Sequence, residues 1–193
     1  MSLEIAHMNA SRATAERIPE GTYAARLISI IDLGTQPQTD WQTGDPTDPK
    51  ARVLFTWELP TETIESNNED TGEVEHKARR ISKEYTLSNF EQSNLMKLIK
   101  ALSAGEPITS LTQMLGFPCM VSIGSTINGK AKITTVMKAP TGMQVDECSY
   151  EPTYFDFDNP DQDLFVSQAG WIQQKIREAI NYTGFADTWG VEQ

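Results

Sequence analysis

Cysteine and histidine are nearly missing from this 193-residue chain, which holds two of each: Cys119, Cys148, His7 and His76. Two cysteines and two distant histidines cannot make a disulfide framework and supply too few soft ligands for a structural zinc site. Cys119 lies in the apolar run Phe117-Pro118-Cys119-Met120-Val121, where a thiol acts as a small buried hydrophobe. Long apolar runs are also missing: none approaches the roughly 18 residues that cross a bilayer. Met1 to Pro19 lack the apolar stretch of a signal peptide, so a cytoplasmic protein is expected. The usual catalytic constellations are missing too. There is no glycine-rich phosphate loop with its lysine, no Gly-x-Ser-x-Gly elbow, and no cysteine with an evident histidine partner. The acids Asp156, Asp158, Asp161 and Asp163 lack the glycine and terminal glutamate of a calcium loop, and Pro160 interrupts them. The expectation is therefore a protein that binds, with no enzyme activity, metal or cofactor.

Basic residues are the scarcer charge, 16 against 27 acidic, for a net charge of −11. The deficit is uneven. Residues 21–139 carry 12 basic and 14 acidic side chains, whereas residues 140–193 carry 2 and 10. A nearly neutral body that can present a basic face is thus followed by an acidic extension.

The body reads β-β-β-α-β-β. Gly21 to Asp32 is a long β-branched strand, and Gly34 to Pro49, with three prolines, two glycines and Trp41, reads as a loop. Lys50 to Leu59 alternates Val53, Phe55, Trp57 and Leu59 onto one face, and Pro60 is expected to stop it. Residues 61–77 are polar and acidic, a hairpin tip or loop around Gly72. Arg79 to Leu87 is the third strand. Ser88-Asn89-Phe90-Glu91 has the form of a capping box before a helix carrying Leu95, Leu98, Ile99 and Leu102 and ending at Gly105. Pro107 to Gly116 is a short helical or turn segment. Pro118 to Ile127 and Lys130 to Ala139 then form a hairpin around Asn128-Gly129. This element order is that of a five-stranded OB-fold barrel with one helix between strands 3 and 4. The domain plan is a flexible arm (1–20), the barrel (21–141) and an acidic extension (142–193). Within the extension, residues 150–165 read as extended or disordered. A helix is expected over 167–182, with Trp171, Ile172, Ile176 and Ile180 on one stripe, and a tail follows from Gly184.

Single-stranded nucleic acid requires aromatic rings for bases and a cationic track for phosphates. The candidate cations are Lys130, Lys132 and Lys138, which even spacing places on one strand face, with Arg79, Arg80, Lys83, Arg26 and Arg52. The candidate rings are Trp41 in the first loop, Trp57, Tyr85 and Phe90. The register of Trp57 with Val53 and Phe55, and of Tyr85 with Ile81, equally fits a core position, and Phe90 fits packing beneath the helix.

Three segments, Gly21-Thr22-Tyr23-Ala24-Ala25-Arg26, Lys50-Ala51-Arg52-Val53-Leu54-Phe55-Thr56-Trp57 and Ile81-Ser82-Lys83-Glu84-Tyr85-Thr86-Leu87, resemble the phage-encoded OB-fold single-stranded DNA-binding proteins. The likeness spans about three-fifths of the chain, Gly21 to Ala139. It implies a replication or recombination accessory protein of the host-cell cytoplasm that coats single strands without sequence preference. It also implies an acidic, aromatic tail that recruits replication or recombination proteins and competes with DNA for the basic face. Asp156, Phe157, Asp158, Asp161, Asp163 and Phe165 supply that mixture, but 28 residues follow Phe165. The motif is then either a free tip or docked on the barrel, and the terminal helix is a possible homodimer contact. The rival expectation is an acidic DNA mimic or interaction module that docks on a basic host or replication protein. A metal-dependent nuclease or annealing factor is the third, and would need two or more of the Asp156–Asp163 carboxylates to converge.

Overall fold

The computed structural model describes residues 17–67, 73–103 and 106–182. Most of the N-terminal arm, Glu69, Asp70, Gly72, Gly105 and the tail from Gly184 lie outside the described residues. The protein is mainly β. Strands β1 (Gly21–Thr39), β2 (Pro46–Asn67) and β3 (Val74–Thr86) precede helix α1 (Asn94–Ser103) and a 3-10 turn at Leu111–Met114. Next come β4 (Pro118–Ser125), β5 (Ala131–Lys138) and β6 (Thr153–Phe155), and helices α2 (Gln162–Ser167) and α3 (Gly170–Arg177). The sheet runs β3-β2-β1-β4-β5 with antiparallel pairing, and β6 adds parallel to β1.

The strands are longer than the prolines suggested, for a local reason. The expected loop 34–49 is mostly paired strand, with a tight turn between Thr39 and Pro46. Pro37 and Pro49 fall where the β1–β2 register slips, and Pro60 falls where the β2–β3 register slips between Leu59 and Thr63. A residue without an N–H is tolerated at such ladder interruptions, so β2 passes through Pro60. Helix α1 begins later than the Ser88 capping box would place it. The Ser93 hydroxyl accepts the Met96 N–H at 3.1 Å and caps the helix, while Glu91 pairs with Lys100. A reciprocal capping box does form, at Ser110 and Gln113. The Asn128-Gly129 turn joins β4 to β5, with Gly129 at φ +68°.

Two cores share β1. A register irregularity between Leu27 and Ser29 shifts its alternation, so Ala25, Leu27 and Ile30 face one side and Ile31 and Leu33 the other. On the first side these pack with Val53, Phe55, Trp57, Tyr85, Val121 and the α1 residues Leu95, Leu98 and Leu102. On the second, Ile31, Leu33 and Leu54 are covered by Phe155, Phe165, Ile172 and Ile176. Each such aliphatic or aromatic side chain contributes roughly 1.5–3 kcal/mol when fully buried. The acidic extension is therefore docked on the sheet over its described residues, 142–182, and the disordered reading of 150–165 is corrected. The helix expected over 167–182 is the shorter α3, and α2 begins inside the segment that read as extended or disordered. Among the described residues, no helix is long and apolar enough to cross a membrane.

Candidate nucleic-acid interface

The outer face of β1–β3 carries a row of charge: Arg26 lies opposite Glu58, and Glu58 opposite Arg80. This row receives the chain leaving β5. Arg26 donates to the carbonyls of Asp146 (2.8 Å), Gly116 (2.9 Å) and Val145 (2.7 Å). Glu58, fully buried, accepts the Ser149 N–H and hydroxyl, each at 2.7 Å, and the Tyr150 N–H at 3.1 Å. Arg80 stacks over the Tyr150 ring at 4.4 Å. The Thr153 hydroxyl bonds the Ser29 hydroxyl at 2.7 Å as β6 forms. A buried carboxylate with three donors is stable, but the same donors are costly once it is gone. Glu58→Ala is expected to lower unfolding stability by about 2–4 kcal/mol and to open 140–150 to protease, with Glu58→Gln intermediate. Urea melts and limited proteolysis check both.

Beside this row lies a groove of about 980 Å³. Its floor is the outer face of β2 and β3, including Thr56, Ala78 and Ser82, and its cationic side carries Arg17, Lys77, Arg79 and Arg80. Its opposite wall is the C-terminal unit, with Tyr150, Thr153, Gln168 and Trp171, and among the described residues Glu151 is the one acid on its lining. The Arg79 guanidinium donates to the Thr63 carbonyl at 3.3 Å, and Lys77 pairs with half-buried Glu75 at 3.3 Å. Solvent-accessible pairs of that kind are worth roughly 0–1 kcal/mol. No family model matches the chain, and neither the curated proteins nor the solved structures yield a match. The groove's chemistry must be read from its own residues.

The sequence candidates divide sharply. Arg79 and Arg80 line the groove. Arg26 is committed to holding 145–146, and Arg52 donates to the Thr86 hydroxyl at 2.8 Å. Trp57 is fully buried, its indole N–H beside the Cys119 thiol, and Tyr85 is buried edge-on to Phe55, so neither offers a face to a base. Burial pushes the Tyr85 hydroxyl well up and the Cys119 thiol up to about 12, which keeps both protonated. Lys83 is half-buried, donates to the Ile133 carbonyl at 3.2 Å, and has its pKa lowered by desolvation. Lys130, Lys132 and Lys138 are exposed but do not share a face. Lys130 belongs to the turn, and a bulge in β5 sets Lys132 opposite Gly124 but Lys138 opposite buried Cys119. The extra residue reverses the parity on which even spacing relied. Trp41 stands at the β1–β2 tip, 87% exposed, and Phe90 is exposed instead of packed under α1.

The acidic residues serve the docked unit. Phe165 is buried and Phe157 half-buried in the second core, and Asp161 caps α2 through the Leu164 N–H at 2.9 Å. Asp156 accepts the Asn159 N–H at 2.7 Å, while Asp158 and Asp163 are exposed. Asp32 lies near Asp156 and Asp158. Burial first, and those two charges last, push its carboxyl above the usual range against the pull of the Gly34 and Phe157 amides. Among the described residues, no three histidine, cysteine, aspartate or glutamate side chains come together as a metal site. Sequence reasoning missed Arg17, Lys77, Tyr150 and Trp171. The available signal was Trp171 itself, which stands at the flank of the Ile172/Ile176 stripe and not within it.

Proposed function

We propose that this protein is a non-enzymatic single-stranded DNA-binding protein that supports phage DNA replication or recombination. Bases stack on aromatic rings and phosphates are neutralised along the outer face of β2 and β3. The observation that carries the reading is the groove on that face, with Arg17, Lys77, Arg79 and Arg80 along it and aromatic side chains opposite. The strand order supports an OB-type barrel. β3-β2-β1-β4-β5, with α1 between β3 and β4, is the order that a five-stranded barrel has when cut open between its end strands. Those end strands approach each other where Lys83 of β3 reaches the Ile133 carbonyl of β5. The strand 2–3 face is also where such barrels hold oligonucleotides.

The test is fluorescence anisotropy of a labelled oligo-dT of about 30 nucleotides against duplex of equal length. The single strand is expected to bind more tightly, with log affinity falling against log salt at a slope of about −2 to −3, roughly −0.7 for each neutralised phosphate. Binding that does not change with salt would remove the reading.

A second reading, a module that docks on a basic protein, is favoured by one observation. The acidic side chains Asp158, Asp161 and Asp163 are exposed on ordered backbone. It predicts no oligonucleotide binding and salt-sensitive binding to a basic replication protein. Recruitment of replication partners through this surface is compatible with either reading.

A further inference from the structure

We infer that the C-terminal unit is one wall of the strand-binding groove and that Trp171 is the ring on which an unpaired base stacks. This rests on the single-strand reading above. The groove is closed on one side by the sheet and on the other by residues that the chain reaches only after β5. Of the two aromatic residues in its described lining, Tyr150 has a face covered by the Arg80 guanidinium. Trp171 is 50% exposed, while its neighbours on α3, Ile172 and Ile176, are buried against the sheet. An indole left in water on a helix whose other large apolar groups are buried is what a stacking platform requires.

The ring's support is rigid. Gln36 of β1 donates to the Lys175 carbonyl at 2.8 Å, and Lys175 is ion-paired to Glu84 of β3. These contacts tie α3 to both strands that flank β2, so the ring is held at a fixed distance from the cationic side. Among the described groove residues β1, β2 and β3 supply no ring, and Trp57 and Tyr85 point into the core. The acidic extension thereby contributes to strand binding, although its net charge alone would make it a competitor.

The experiment compares wild type, Trp171→Ala and Trp171→Phe, all full length, with labelled oligo-dT at several salt concentrations. Trp171→Ala is expected to weaken binding about tenfold or more at every salt concentration with the salt slope unchanged, because no phosphate contact is lost. Trp171→Phe should recover most of the affinity. A structural role would instead lower the melting temperature or alter the slope, and either result overturns the assignment. Trp171→Ala binding as wild type does, while Arg79→Ala binds weakly, overturns this inference and leaves the single-strand reading standing. No binding by wild type overturns both.

Discussion

Gly34→Ala is expected to detach the C-terminal unit from the sheet. Gly34 has φ +71°, a left-handed conformation that costs a residue with a Cβ about 1–2 kcal/mol. A Cβ there would lie 2.5 Å from Phe157 Cζ, 2.7 Å from Ala179 Cβ and 2.7 Å from Asn181 Oδ1. Ala179 Cβ cannot yield without moving the segment that carries it, and the Asn181 amide can turn away only by giving up the Thr35 N–H, so overpacking adds about 1–3 kcal/mol more. The expected loss is about 2–5 kcal/mol in a urea melt, with new protease cleavage in residues 140–182. Gly44→Ala is the control. Its φ is +76°, but nothing lies within 4 Å of the added Cβ, so only the backbone cost applies. Equal losses at the two positions would show that the close approach at Gly34 does not hold the unit.

Reversing two charges on the groove should have the largest effect on binding. Lys77→Glu with Arg79→Glu replaces two cations on its β3 side with anions. A loss of oligo-dT affinity of at least about a hundredfold is expected at moderate salt, with the salt slope shallower by about 1.4. Reversing Lys130, Lys132 and Lys138 together changes more charge in total but spreads it over a turn and two faces. Its effect should stay under about tenfold. The opposite ranking would move the binding surface to the β4–β5 hairpin.

The β-rich order of elements was readable because local chemistry fixes it. Alternation marked β2, the Asn128-Gly129 turn marked the β4–β5 hairpin, and a period of helical spacing marked α1. What the sequence hid depends on partners distant along the chain. Pro37, Pro49 and Pro60 read as breakers until the neighbouring strand's register shows the ladder already interrupted beside them. β6 is three residues long, and α2 and α3 are six and eight. Segments that short have no stability of their own and form because Phe155, Phe165, Ile172 and Ile176 find β1 and β2. The candidate site follows the same pattern. Arg79 and Arg80 were legible as strand cations, whereas Tyr150 and Trp171 become lining residues only once the extension docks. The contacts of Arg26 were not legible because its acceptors are backbone carbonyls, which leave no trace in a sequence.

The sharing of β1 between two cores bears on how the chain is made. Synthesis delivers β1 and β2 long before residues 153–176, so Ile31, Leu33 and Leu54 have no cover while the rest of the sheet is assembling. A nascent or prematurely terminated chain that stops after β5 presents an apolar sheet surface to the crowded cell, the kind of surface that chaperones retain and that aggregates when they do not. Burial of that surface therefore waits on translation of α3, and a nonsense mutation near residue 140 should yield an aggregated product, not a smaller working one.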